Sequence, residues 1–481
     1  MTLPTLRFGT DGWRGVIAED ATFETFRRLA AAAAKLYGQG AFGPGDRSRI
    51  VVGHDTRFLS EEFAGVVAEI FSAAGIEVLL TDRPIPTPAV SLQVRRRGLS
   101  GGIAVTASHN PAPYNGFKLK AHYGGSAPPD LYEAVERSLD GPSPASRHRA
   151  SISRTDFWSS YRSDLAGLVD VDAIRAAGIP VLVDAMHGAA GRLLEEILAP
   201  PEASGVRVET MRAERNVLFG GGHPEPIAAN LSAASKRVRE GKFALAVAND
   251  GDADRLGVLD SRGEFVSAHR VLALLILHVL RVRGLRGGIA KTFSTSLLID
   301  RIASRLGVPL FETSIGFKYI ADLLVSGRAV VGGEESGGYG FAFHLPERDG
   351  TLSALVLLEN LAKTGRTLDA AVSELGEEFG RFEYSRRDVA WPLPAVRTFL
   401  QRVAAAPPRS VAGHRVTGCV EKDGVKLLFG GRGWLLLRRS GTEPMIRMYC
   451  EHEDRAACEE ILDRAGQRLQ RGSNVSSGEH R

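Results

Sequence analysis

The residues best suited to chemistry lie in two stretches, and the simpler is Asp250-Gly251-Asp252-Ala253-Asp254-Arg255. Three carboxylates at alternate positions of an extended loop share one face and can converge on a point. Like charges about 4 Å apart repel by about 1 kcal/mol in water and ~4 kcal/mol near a protein surface, and a divalent cation removes that cost. An oxygen-only donor set suits magnesium or calcium. The spacing is not that of an EF-hand, whose sixth and twelfth positions would be Arg255 and Ser261 instead of glycine and glutamate.

The second stretch, Thr106 to Lys118, follows the apolar run Gly102–Val105 and holds Ser108, His109 and Lys118. Pro111, Pro113 and Asn115-Gly116 predict an irregular loop throughout. A phosphoryl group on Ser108 would bring about −1.5 to −2 charge and three acceptor oxygens. Beside a cation it becomes an activated donor, with Arg255 helping to neutralise developing charge. Lys118 is the expected proton carrier, provided nearby positive charge lowers its pKa. His109 reads equally as a catalytic group or a loop-stabilising one. Asp250-Gly-Asp252 also resembles the opening of haloacid-dehalogenase-like phosphatases, in which the first aspartate is the nucleophile. Asp254 stands where those enzymes carry threonine or valine.

Two further loops complete the set. Glu334 and Ser336 are acceptors spaced to grip neighbouring sugar hydroxyls. Arg438, Ser440, Thr442 and the amides around Gly441 suit a phosphate dianion. Arg14, Lys291 and Lys318 are expected to add positive charge. Gly98-Leu99-Ser100-Gly101-Gly102 matches the hydrolase GxSxG elbow, but Arg95-Arg96-Arg97 precede it instead of a buried strand.

The positioning elements alternate. Helices near 22–37, 60–74 and 88–97 interleave with strands at 50–53, 76–80 and 103–106, the pattern of an α/β layer sandwich. A second α/β unit has strands at 179–183, 206–210 and 243–248, and a third runs from helix 269–282 to helix 367–379. From about Glu383 short strands at 415–420, 425–429, 434–438 and 445–449 and one helix, 455–469, predict an α+β module, with a polar, disordered tail from Arg471.

At 481 residues the chain has room for several domains, and 44% hydrophobic and 24% charged residues are ordinary for a globular protein. No aromatic residues interleave with Arg95–Arg97 or Arg147-His148-Arg149, so these predict solvated faces and no nucleic-acid partner. Cys419, Cys450 and Cys458 form no CxxC pair, which favours a reducing, cytoplasmic setting. The first residues lack the basic and apolar segments of a secretory signal. The run Val271–Leu280 is too short to span a bilayer, so no membrane partner is expected.

In their order and joint occurrence, Thr106–Pro111 with Lys118, Asp250–Arg255, Gly333–Gly337 and Arg438–Pro444 closely resemble the α-D-phosphohexomutase superfamily of phosphoglucomutases and phosphomannomutases. The resemblance implies three similar α/β mixed-sheet sandwich domains plus a C-terminal α+β TATA-binding-protein-like domain around a central cleft. The corresponding boundaries are 1–149, 150–262, 263–383 and 384–481. It implies Mg2+ held by Asp250, Asp252, Asp254 and a phosphate on Ser108. It also implies transfer of that phosphate to a hexose 1- or 6-phosphate, giving a hexose 1,6-bisphosphate that doubles as activator. The bisphosphate turns over while Arg438, Ser440, Gly441 and Thr442 hold the phosphate not reacting, and Ser108 takes back the other. The substrates are phosphorylated hexoses, and the enzyme is expected to be a monomer or homodimer. Gly338 replaces the histidine that ends the sugar loop of bifunctional phosphomannomutases and phosphoglucosamine mutases. The form Gly333-Glu334-Glu335-Ser336 resembles glucose-handling members, as does Gly316-Phe317-Lys318-Tyr319, which favours glucose, then mannose, then glucosamine. A non-catalytic phosphosugar-binding regulator would show damage in the first two loops, and both are intact.

Overall fold

The runs Ile50–Val52, Val78–Leu80 and Ile103–Val105 have no polar face, as strands covered on both sides must. In a computed structural model of the chain they lie in β2 (Arg49–His54), β3 (Glu77–Thr81) and β4 (Gly101–Val105). With β1 (Trp13–Val16), β5 (Tyr114–Ala121) and β6 (Ile152–Thr155) they form a mixed six-stranded sheet of order β1-β5-β4-β2-β3-β6. The structure describes residues 6–9, 11–141, 144, 146–201, 205–440 and 445–476. The chain divides into two compact units, Met1–Ala290 with Gly316–Ala371, and Lys291–Ile315 with Val372–Arg481.

Around the first sheet pack α1 (Phe23–Gly38), α2 (Ser60–Ala73), α3 (Thr87–Arg96) and α4 (Pro129–Ser138). The buried alanines Ala30–Ala34 let α1 approach closely, and Phe26 stacks on Phe63 with ring centroids 4.1 Å apart. One expectation fails here: the stretch 106–118 is not irregular throughout. Asn115, Gly116, Phe117 and Lys118 belong to β5, where Gly116 pairs with Arg14 and Lys118 with Ala104. Asn115-Gly116 reads as a turn, but a Cβ on Gly116 would lie 2.6 Å from the Thr106 carbonyl oxygen, so close packing of strands requires the glycine.

The second segment carries α5 (Trp158–Gly167), α6 (Val171–Ala176), β7 (Val181–Asp184), α7 (Leu193–Leu198), β8 (Val208–Met211), α8 (Ser232–Gly241), β9 (Leu245–Asn249), β10 (Leu256–Leu259) and β11 (Phe265–Val266). Its sheet order is β11-β10-β9-β7-β8. β9 and β10 are antiparallel with Asn249 opposite Leu256, so residues 250–255 form the loop of a hairpin. Next come α9 (Ala268–Leu277), which continues as a π-helical turn over His278–Val282, then β12 (Gly288–Thr292), α10 (Leu297–Leu306) and β13 (Leu310–Thr313). α11 (Phe317–Val325), β14 (Ala329–Gly333), β15 (Tyr339–Phe341), α12 (Gly350–Thr364) and α13 (Leu368–Phe379) complete the segment. β14 and β15 are also antiparallel, Gly333 facing Tyr339, so Glu334–Gly338 is a second hairpin loop.

The last segment has β16 (Glu383–Ala390), α14 (Leu393–Ala405), the short pair β17 (Ser410–Val411) and β18 (His414–Arg415), then β19 (Gly418–Glu421), β20 (Val425–Leu428), β21 (Gly433–Arg439), β22 (Met445–His452) and α15 (Arg455–Ser476). Its main sheet is antiparallel, in the order β16-β22-β21-β20-β19. The sequence predicted one helix here, and the structure has two. Pro392-Leu393-Pro394 looks like a breaker, but proline in a first helical turn costs no intrahelical hydrogen bond. α15 also continues to Ser476, past the expected disordered start at Arg471. Among the described residues no helix is long and apolar enough to cross a membrane.

Candidate functional site

Ser108 follows β4 in a left-handed conformation, φ 54°, and is 1% exposed. Its amide donates to Thr106 Oγ1 (2.8 Å), and its hydroxyl lies 3.0 Å from Asp250 Oδ2 and 3.3 Å from His109 Nδ1. Thr106 Oγ1 in turn donates to Asp55 Oδ2 (2.6 Å). Arg57, fully buried, donates to the carbonyl oxygens of Ser108 and Asn110, both at 2.6 Å.

Asp250, Asp252 and Asp254 are completely buried, and one carboxylate oxygen from each lies within 4.8 Å of the others. Asp252 accepts from Lys118 Nζ (2.8 Å) and Thr87 Oγ1 (2.6 Å), and Asp254 from Lys118 Nζ (3.2 Å) and an Arg348 Nη (2.7 Å). Asp252 Oδ1 and Asp254 Oδ1 are buried without a hydrogen-bond partner. An all-oxygen set with two orphaned oxygens fits a hard divalent cation such as Mg2+. Burial, then the neighbouring Asp254 and Asp252, push Asp250 well above the usual carboxylate range. Burial acts the same way on Asp252, but Lys118 and Thr87 outweigh it and hold that carboxyl below the range.

The expected fall in the Lys118 pKa does not occur. Burial favours the neutral amine, yet Asp11 (2.9 Å), Asp252 and Asp254 outweigh it and raise the pKa. The cation Arg348 opposes these carboxylates as burial does, but they prevail and Lys118 stays an ammonium. Burial and then Arg255, Arg14, Lys118 and Arg57 push His109 well below its ordinary value, so its imidazole is neutral. Arg14 donates to Asn110 Oδ1 (2.6 Å). Arg255 reaches Glu225 (3.4 Å), and its backbone amide donates to Asp250 Oδ1 (3.0 Å).

In the second hairpin loop Glu334 is buried 3.4 Å from Arg348 Nη1, and its pKa is raised to about 7 by burial, with Arg348 opposing. Ser336 is half-buried. A Cβ on Gly338 would sit 2.9 Å from Arg348 Cγ, so Arg348 takes the space a side chain there needs. Gly316 precedes α11 at φ 127°, and Lys318 lies half-buried with Nζ 5.1 Å from the Tyr319 ring.

The other predicted residues belong to the second unit. Lys291 is buried against Asp300 and Glu312. Arg438 is half-buried on β21 opposite Arg447, and the Ser440 amide donates to the Met445 carbonyl (3.0 Å). Gly441 and Thr442 lie outside the described residues.

Sequence reasoning missed Asp11, Asp55, Arg57, Thr87 and Arg348. Arg348 bridges Asp11, Asp254 and Glu334, contacts no local spacing announces. Asp-Thr-Arg at 55–57 directly after the buried β2 was the available signal, since a strand end is where functional groups cluster.

Four family domains match the chain: phosphoglucomutase/phosphomannomutase alpha/beta/alpha domain I over residues 5–144, domain II over 159–263, domain III over 267–379 and the C-terminal domain over 400–465. A phosphoglucomutase/phosphomannomutase of Thermococcus kodakarensis is 31% identical over 95% of this chain and 96% of its own. A phosphoglucosamine mutase of Rubrobacter xylanophilus is 32% identical, with 95% and 96% covered. A crystal structure from Thermus thermophilus, described as a candidate phosphomannomutase, superposes with a TM-score of 0.86 at 35% identity, covering 98% of this chain and all of that one. With all four domains matched in order and relatives aligned end to end, the chain belongs to the phosphoglucomutase/phosphomannomutase family, isomerases that interconvert sugar phosphates.

Proposed function

We propose that the protein interconverts hexose 1-phosphates and hexose 6-phosphates through phosphorylated Ser108 and a hexose 1,6-bisphosphate, with glucose the preferred sugar. The observation that carries the reading is the placement of the Ser108 hydroxyl 3.0 Å from Asp250, at the edge of a buried three-aspartate site. Mg2+ held by Asp250, Asp252 and Asp254 supplies charge neutralisation on the phosphoryl oxygens. The sugar hydroxyl oxygen bonds to phosphorus as the bond from phosphorus to Ser108 Oγ breaks. Lys118, as an ammonium, gives its proton to the departing serine oxygen and takes one from the attacking hydroxyl, so protons balance. Neutral His109 accepts from the Ser108 hydroxyl in the interval before the second transfer runs the same chemistry in reverse. Arg14 and Arg255 add positive charge beside the loop, and Glu334 with Ser336 reads the sugar hydroxyls.

The preference for glucose rests on the sugar loop. A side chain at 338 would require Arg348, which holds Asp254 and Glu334, to shift. A second reading, glucosamine, is favoured by relatives named phosphoglucosamine mutase at 32% identity. Comparing kcat/KM for glucose, mannose and glucosamine 1-phosphates decides the sugar. Ser108→Ala decides the chemistry: turnover is lost if the reading is right. A hydroxylamine-labile acyl phosphate on Asp250 would instead support a phosphatase.

A further inference from the structure

The Ser108 backbone is left-handed, a conformation that residues other than glycine keep only where their surroundings fix it. The surroundings here are unusually complete. A guanidinium has five N–H donors, and Arg57 uses four of them on one short stretch of chain and the fifth on Asp55. Nε donates to Asp55 Oδ2 (3.1 Å), Nη1 to the carbonyls of Pro111 (2.8 Å) and Tyr114 (3.1 Å), and Nη2 to those of Ser108 and Asn110. The side chain has no solvent exposure, and the Phe219 ring lies over it, 4.9 Å from the guanidinium carbon. Asp55 Oδ2 also receives the Thr106 hydroxyl, whose oxygen accepts the Ser108 amide. One carboxylate thus anchors both a clamp on the loop carbonyls and a clamp on the serine amide. The loop carbonyls turn inward to Arg57, and the Ser108 side chain is left pointing at Asp250.

We propose that Arg57, with Thr106, is a positioning residue for phosphoryl transfer, fixing the strained serine so that its oxygen meets the aspartate site. The proposal rests on the phosphoserine reading above. Lysine carries charge but cannot reproduce five donors in a planar fork, so Arg57→Lys separates positioning from charge. The test uses the full chain as Arg57→Lys, Thr106→Val and the double variant. Near-ultraviolet circular dichroism and melting fix the folded fraction. Kinetics then give kcat and KM, and quenched mass spectrometry gives the rate at which glucose 1,6-bisphosphate rephosphorylates Ser108.

Misplacing the oxygen should cut kcat and the rephosphorylation rate per folded molecule by about 100-fold in Arg57→Lys and by about 10-fold in Thr106→Val. KM should stay within about threefold, and the double variant should be little worse than Arg57→Lys, because both clamps share Asp55. A purely structural role would lower the melting temperature and leave folded molecules turning over normally. Wild-type kcat per folded molecule in Thr106→Val, or in a folded Arg57→Lys, would overturn the proposal. If Arg57→Lys does not fold, Thr106→Val decides the matter alone. Turnover surviving Ser108→Ala would instead overturn the phosphoserine reading.

Discussion

Glu334 is the most informative single perturbation. It is 5% exposed, and its pKa is about 7 against an ordinary 4.5. That difference, at about 1.4 kcal/mol per pH unit, makes the folded state resist the carboxylate by roughly 3 kcal/mol. Below pH 4.5 both folded and unfolded chains hold the proton and the penalty is absent. Between pH 4.5 and 7 the unfolded chain ionises first, so stability falls as pH rises, and above 7 the loss is complete. Glu334→Gln removes the titration while keeping the shape. Urea melts of both proteins at pH 5, 6, 7 and 8 should show the variant gaining on wild type by up to about 3 kcal/mol, with most of the gain reached by pH 7. In wild type, kcat/KM should rise with pH through about 7 as the acceptor carboxylate forms, and that rise should vanish in Glu334→Gln. Parallel stability profiles across the whole range would refute the argument from burial.

Lys118→Met leaves Asp11, Asp252 and Asp254 without their shared ammonium. Breaking a buried pair in this way should cost about 3–5 kcal/mol and abolish turnover. Added MgCl2 should raise the melting temperature of the variant more than that of wild type. Gly338→Ala forces Arg348 aside, which should cost about 1–3 kcal/mol in urea melts and raise the KM for hexose phosphate.

The two reactive loops were legible because their information is local. Asp250, Asp252 and Asp254 are one hairpin loop, and Ser108 sits directly behind an apolar strand, so residue type and spacing sufficed. Lys118 was legible as a residue but not as a position or a charge state. Asn115-Gly116 signals a turn, whereas the strands on either side of β5 impose a ladder. The ammonium is stabilised partly by Asp252 and Asp254, more than a hundred residues away in sequence. Arg348 was invisible for the same reason, since its partners Asp11, Asp254 and Glu334 come from three separate segments. Arg57 could have been suspected from Asp55-Thr56-Arg57 behind β2, but which carbonyls it gathers depends on how the loop folds over it. In the last segment β16 was missed because Arg386, Arg387 and Asp388 resemble a solvated run. Arg386 pairs with Asp388 and Arg387 with Glu459 and Asp463, which lets a charged strand lie at the sheet edge.

The mutase reading requires that Ser108 store and exchange a phosphoryl group. Peptide-mapping mass spectrometry after incubation with isotopically labelled glucose 1,6-bisphosphate and Mg2+ tests it most directly. An acid-stable label on Ser108 that is lost to unlabelled glucose 1-phosphate, and absent from Ser108→Ala together with turnover, is the predicted result. Label on Asp250, or turnover with Ser108 never labelled, would contradict it.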